Sequence, residues 1–248
     1  MEAVGIIPAR YKSSRFEGKV LANILGKPML QYVWEHSKKA KLLDKVIIAC
    51  DDERVKEAAL GFGAEVVMTA REHTSGTDRI TEVVSLMDVK VVVNIQADEP
   101  LIHPLMIDSV VDALLSDPDL EMVSLMHRIT DPLQINNPHV VKVVVDKNNF
   151  ALYFSRAPIP YQAHDTQIKE PVYFKHIGIY GYTKDFLFTY KNIPASFIEK
   201  MENLEQLRAL FEGFKIKLLE TKYDTIGVDT PQDLEKVEEY IRKYGLPK

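Results

Sequence analysis

The sequence predicts an α/β protein with a Rossmann-like, mainly parallel sheet flanked by helices and a mixed α+β insertion. Three observations lead there. Through the first half, apolar runs alternate with helical periods in βαβαβαβ order, which builds a parallel sheet with helices on both faces. The run Val89–Ile95 is almost continuously β-branched, as a central strand covered on both sides demands. After Asp119 the texture changes to strand-like runs without regular helices between them.

The elements follow in order. Ala3–Pro8 reads as a buried strand. Pro28–Ala40 reads as a helix with Leu30, Val33, Trp34 and Ser37 on one face, its start marked by Gly26 and Pro28. Lys45–Cys50 is a second strand, Asp51–Leu60 a helix closed by Gly61, and Ala64–Thr69 a third strand. Thr77–Met87 carries Ile80, Val83, Val84 and Met87 at helical spacing, and Ser75 stands three residues before Asp78 as a cap pair. Val89–Ile95 is the fourth strand, and Pro104–Leu115 the next helix. Met122–Ile129, Val140–Asp146, Asn149–Ser155 and His176–Thr183 read as strands, the middle two joined by a turn at Lys147-Asn148. Pro158–Pro171 is polar and proline-bearing, hence a loop. Asn203–Phe211 is expected as a helix, Phe214–Glu220 as a strand, and Thr230–Tyr244 as a last helix. That helix has Thr230 as N-cap, Pro231 in its first turn and Gly245 beyond its end. The expected organisation is a core of residues 1–119 plus 201–248, with a mixed region at 120–200.

Bulk properties exclude several classes. Of 248 residues, 46% are hydrophobic and 27% charged, ordinary for a globular chain with a real core. Lysine and arginine number 31 against 36 acids, a net charge of −5, so a broad basic footprint for nucleic acid is not expected. The lone Cys50 lies in an apolar strand and reads as a buried thiol rather than a nucleophile. No apolar run approaches the roughly 20 residues needed to span a bilayer. The opening residues lack the charged and apolar regions of a secretory signal, so a cytoplasmic location is expected.

Four stretches carry chemistry. The first strand runs into Arg10, Tyr11, Lys12, Ser13, Ser14, Arg15 and Lys19. This is neither a Walker A loop nor a dinucleotide fingerprint. Three cations, Arg10, Arg15 and Lys19, leaving one buried strand end point to phosphate binding, since arginine forks match phosphate oxygens and lysine supplies a mobile charge; a solvated surface loop is the alternative. In Asn94-Ile95-Gln96-Ala97-Asp98-Glu99-Pro100 a buried strand ends in adjacent acids. An oxygen ligand there suits Mg²⁺, which takes one or two protein carboxylates plus substrate phosphates; helix capping and loop solvation are equally open. In Thr225–Pro231, Asp229 either helps to cap the last helix or supplies a second carboxylate. The stretch Arg71–Arg79 can read a base or ribose through Ser, Gly and Thr groups, or simply start a helix; His73 has little to mark it as a base.

The ordered set IPARYKSSRFEGKVL, HTSGTDR, VNIQADEP, SRAPIP, HIGIYGY, NLEQLR and GVDTP resembles the CMP-Kdo synthetase family, the 3-deoxy-manno-octulosonate cytidylyltransferases, from about residue 3 to 241. The resemblance implies a sugar nucleotidyltransferase that turns CTP and 3-deoxy-D-manno-octulosonate (Kdo) into CMP-Kdo and pyrophosphate, with Mg²⁺, for lipopolysaccharide synthesis, as a homodimer. It gives residues 1–119 and 201–248 to the nucleotide and 120–200 to the sugar and the dimer. It implies that Arg10, Arg15 and Lys19 hold the triphosphate, and that Asp98 and Asp229 ligate the metal. Ser75 and Gly76 would lie near the cytosine or ribose, with Arg71 and Gln96 close by. Arg156 would meet the sugar acid, His176 and Tyr180 would line its pocket, and Glu205 and Gln206 would bond its hydroxyls. The chain departs from the family in Ala97, where glycine is usual, which bears on how closely the backbone approaches a ligand.

Other readings predict different features. A phosphorylated acceptor, such as a methylerythritol phosphate, would call for more cations than Arg156 in the second half. Sialic acid is a closer rival acceptor. A nucleotide sensor that had lost turnover has no need of Lys19, Asp98 and Asp229 together. A glycosyltransferase of the GT-A type expects a D-x-D motif, which Asp98-Glu99-Pro100 does not supply.

Overall fold

The structure, a computed structural model, describes residues 1–12, 16–73, 75–163, 168 and 171–247. Its first half follows the expected alternation. Strand β1 is Ala3–Ala9; a short hairpin of β2 (Asn23–Ile24) and β3 (Lys27–Pro28) leads into α1 (Met29–Ser37). Then come β4 (Lys45–Cys50), α2 (Glu53–Gly61), β5 (Glu65–Met68), α3 (Gly76–Val84), β6 (Val91–Asn94) and α4 (Pro104–Ser116). The second half holds β7 (Met122–Arg128), β8 (Lys142–Val145), β9 (Ala151–Ser155), β10 (Phe174–Thr183), α5 (Lys184–Lys191), α6 (Phe197–Glu202), α7 (Leu207–Phe211), β11 (Lys217–Glu220) and α8 (Pro231–Tyr244).

One nine-stranded sheet runs through both halves, in the order β11-β7-β10-β6-β1-β4-β5, with β8 and β9 joined at β10. Strands β5, β4, β1 and β6 are parallel. Strand β10 is antiparallel to both β6 and β7, and β11 is parallel to β7. β1 lies centrally because its residues are apolar on both faces: Ile6 faces one core layer and Ile7 the other. Burying each such side chain contributes about 2 kcal/mol. The parallel half leaves the carboxyl ends of β1, β4, β5 and β6 along one edge, where open α/β sheets bind ligands.

Local signals act as expected at several ends. Ser75 Oγ accepts from the Asp78 amide at 3.1 Å. Thr230 and Asp233 form a reciprocal capping box at the start of α8. The β8–β9 hairpin turns through Lys147-Asn148, with Asp146 Oδ1 accepting from the amides of Asn148 and Phe150. Several elements differ from expectation, among them the β2–β3 hairpin and α6, which have no counterpart in the sequence reading. The segment 203–211 is not one helix: Asn203 adopts φ 53°, ends α6, and leaves Leu204, Glu205 and Gln206 as a turn before α7. Helix α5 was not expected; Thr183 caps it, and Phe186, Leu187 and Tyr190 bury its inner face. With only eight residues, and with Phe188 apolar off the buried face, the helical period was too short to stand out.

Candidate active site

Two adjoining cavities open at the carboxyl edge of the parallel strands. One, of about 360 Å³, is lined by residues that include Arg10, Lys19, Ser75, Gly76, Arg79 and Asp98. The other, of about 390 Å³, is lined by residues that include Arg156, His176, Tyr180, Tyr182, Leu204 and Gln206. Gly76, Gln96, Glu205 and Asp229 line both, so the cavities meet at those four residues.

The first lobe is built by the loop after β1. That loop is turned by Gly18, at φ 69°, whose amide donates to the Tyr11 carbonyl at 3.0 Å. A Cβ at Gly18 would also crowd Tyr11 Oη at 3.0 Å, so glycine serves both the left-handed turn and the packing. Tyr11 is held from the other side by the Arg54 guanidinium, 3.4 Å from its ring centre. The turn delivers Lys19 inward, with its side chain only 12% exposed. Lys19 Nζ donates to Asp98 Oδ2 at 2.7 Å and to Asp229 Oδ1 at 3.2 Å. Two carboxylates from segments 131 positions apart in the sequence thus converge on one cation.

A backbone hydrogen bond ties these segments, the Val228 amide donating to the Asp98 carbonyl at 2.9 Å, and Leu101 packs with Val228 and Ile226 in one apolar cluster beside it. Glu99 packs beneath it. A Cβ on Gly227 would lie 3.1 Å from Glu99 Oε1, so glycine permits this close approach. Burial, helped by the neighbouring Asp98 charge, pushes the Glu99 carboxyl up to about 7. Among the described residues no cluster of three or more His, Cys, Asp or Glu side chains forms a ready metal cage. A convergent carboxylate pair beside a cationic lobe is nevertheless the kind of donor set that Mg²⁺ uses when substrate oxygens complete its shell.

Part of the wall of the first lobe comes from α3 with His73 and Ser75 before it, and part from Gln96 and Ala97 after β6. Arg79 is 3% exposed; its Nη2 donates to Asp51 Oδ2 at 2.8 Å, and its Nη1 donates to the Thr69 hydroxyl. His73 is paired with Glu82. Gln96 Nε2 donates to Asn94 Oδ1 at 3.2 Å, and Ala97 is buried in the wall.

The second lobe rests on β10, where alternate residues His176, Gly178, Tyr180 and Tyr182 face the cavity. His176 keeps part of its surface on the cavity, yet the surrounding protein strips it of water and pushes its imidazole down to about 3. Ser124 Oγ lies 2.9 Å from His176 Nε2 and donates to the Ile179 carbonyl at 2.8 Å. With the hydroxyl proton so used, the neutral imidazole donates from Nε2 and keeps Nδ1 as an acceptor. Burial, and next the Glu205 carboxylate, keeps Tyr180 protonated far into the alkaline range. Glu205 Oε1 accepts from Thr77 Oγ1 at 2.6 Å.

The predicted residues are therefore distributed unevenly. Arg10, Lys19, Ser75, Gly76, Gln96, Asp98, Asp229 and Glu205 line the first lobe, and Arg156, His176, Tyr180 and Gln206 line the second. Arg71 lines neither: it is exposed, with Nε on the Asp51 carbonyl at 3.2 Å. Arg15, with Ser13 and Ser14, lies outside the described residues. Arg79 was missed as a wall residue. Its signal was present, an arginine beside Ile80 on the apolar side of an amphipathic helix, and Asp51 follows β4 directly.

Comparison with known proteins agrees with this fold. Residues 4–217 match the family described as cytidylyltransferase, and the chain belongs to that family. Its similarity is to one group of members in particular. The 3-deoxy-manno-octulosonate cytidylyltransferase of Solibacter usitatus is 52% identical over 94% of this chain and 92% of its own. That of Syntrophotalea carbinolica is 48% identical over 98% and 99%. A solved structure of CMP:2-keto-3-deoxy-manno-octonic acid synthetase complexed with CTP superposes with a TM-score of 0.91 at 41% identity, covering 98% of this chain and 99% of that one.

Proposed function

We propose that this chain transfers the cytidylyl group of CTP to Kdo, giving CMP-Kdo and pyrophosphate. The observation that carries the reading is Lys19 Nζ held between Asp98 and Asp229 where the two cavities meet. The similarity to 3-deoxy-manno-octulosonate cytidylyltransferases supports the choice of substrates.

In this reading CTP lies in the first lobe. Arg10 and Lys19 bind its phosphates, and Ser75, Gly76 and Gln96 face the nucleoside. Asp98 and Asp229 would hold Mg²⁺, which when bound neutralises phosphate charge as the pyrophosphate leaves. Kdo lies in the second lobe, with Arg156 toward its carboxylate, Glu205 and Gln206 toward its hydroxyls, and neutral His176 as a hydrogen-bonding wall. The anomeric hydroxyl oxygen forms the new bond to the α-phosphorus and gives up its proton to solvent, the bond from that phosphorus to the bridging oxygen breaks, and pyrophosphate departs opposite with that bond's electron pair. Catalysis is then positioning and charge stabilisation, with Lys19 aimed at the leaving oxygens. The product would feed lipopolysaccharide synthesis. A cytoplasmic homodimer belongs to the same reading and is carried by the family resemblance; no helix of the described residues is long and apolar enough to cross a membrane.

The test is pyrophosphate release with CTP, Mg²⁺ and Kdo, with sialic acid and no acceptor as controls. Release that requires Kdo and disappears in Asp98→Ala is expected. Nucleotide binding without release on any acceptor would favour a sensor.

A further inference from the structure

Lys142 lies outside the proposed machinery and is unusual. It stands on β8 opposite Ser155 of β9 and beside Lys175 of β10, and it is 0% exposed. Its ammonium has no carboxylate partner among the described residues. It donates instead to three main-chain carbonyls: Asn137 at 2.9 Å, Val140 at 2.6 Å and Arg156 at 2.6 Å. All three of its donors are used.

A buried ammonium is a costly way to tie a turn to a strand, and an apolar side chain of the same length would avoid the desolvation. What it ties is informative. Arg156 Nη1 donates to the Pro138 carbonyl, inside the turn that Lys142 grips, while Arg156 Nε and Nη2 reach the carbonyls of Glu202 and Asn203. The Glu202 carboxylate takes the Ser155 hydroxyl and the Arg156 amide. The arginine is thus held on both sides by neutral carbonyls, with three of its five N–H groups used. Its charge stays available to an anion, and Asn203 is followed by Leu204, Glu205 and Gln206 of the same cavity.

We propose that Lys142 is a positioning residue of the second lobe: its triple carbonyl grip fixes the 137–140 turn and the Arg156 main chain, and so aims the Arg156 guanidinium at the carboxylate of the acceptor. The inference rests on the sugar-acid reading above. Lys142 touches no substrate and acts through Arg156. Its loss should therefore be felt by the acceptor and not by CTP.

The experiment is steady-state kinetics of the full chain with Lys142→Met and Lys142→Gln, the latter a shorter, uncharged donor that serves if the former fails to fold. The KM for Kdo is expected to rise about tenfold or more, with the KM for CTP within about twofold and kcat changed far less than the Kdo KM. Arg156→Gln should remove most of the further effect of Lys142→Met in the double variant, because one acts through the other. Unchanged Kdo KM, or equal losses for both substrates, overturns the positioning role. Absence of Kdo-dependent release by the unaltered chain overturns the functional reading itself, and the inference with it.

Discussion

The two lobes of the cleft are made by different means. The first stands on loops that leave parallel strands, and several of its charged groups follow strand ends: Arg10 after β1, Asp98 after β6, with Lys19 further along the loop from β1. The second stands on antiparallel β10, and its one lining arginine is oriented by carbonyls from two other segments. In the first lobe Lys19 and Arg79 are paired directly, cation on carboxylate. In the second the arginine is held by neutral dipoles, which keeps a positive group unspent for a single anion. A tetra-anionic nucleotide and a mono-anionic sugar differ in the same way.

Substitutions can break this comparison, and the largest effect should come from the first lobe. Lys19→Met leaves Asp98 and Asp229 facing one another without their shared ammonium, and kcat is expected to fall about 10²–10³-fold. A fall below tenfold would show that the ammonium is only a structural tie. Gln206→Ala touches the second lobe alone and should raise the KM for Kdo about tenfold, some 1.4 kcal/mol, leaving that for CTP unchanged. A matching rise for CTP would merge the lobes into one site.

His176 sharpens the contrast through pH. Its folded-state value of about 3 lies below the ordinary 6.5, so between those values the unfolded chain binds the extra proton. Stability is therefore expected to be whole above about pH 6.5 and to decline as pH falls toward 3. His176→Asn should flatten that slope in urea melts taken across the window, and NMR titration should find the imidazole neutral at pH 5. An imidazolium at pH 6 would instead make His176 a second cation for the acceptor. The smallest effect belongs to Lys45→Ala. It breaks the Lys45–Glu65 pair, whose side chains are 48% and 52% exposed, and should change stability by no more than about 0.5 kcal/mol and neither KM.

The same difference decides what the sequence made legible. A buried strand ending in cations is visible because burial and charge are both written locally, and Lys19 could be singled out on that basis. The meeting of Asp98 with Asp229 is not local. It depends on the Val228 amide finding the Asp98 carbonyl, and no period or spacing encodes that bond. Arg71 and Arg79 lie in one short stretch, and either could have faced the cleft. Helix α3 turns Arg79 in against Asp51, whereas Arg71 stays outside on the Asp51 carbonyl. Glu205 and Gln206 were marked by family resemblance, but the helix expected across them breaks because Asn203 takes a left-handed backbone. Lys142 showed no signal, since a lysine inside Val-Val-Lys-Val-Val alternates like any strand residue with a solvent-facing side.

The central claim is that the two lobes are joined so that the α-phosphorus of one ligand meets the anomeric oxygen of the other. It is tested most directly by following CTP labelled at the α-phosphate in the presence of Mg²⁺ and Kdo. The label is expected to appear in CMP-Kdo, one equivalent per pyrophosphate released. Label recovered only as free CMP, or retained in CTP that binds and is never turned over, would contradict it.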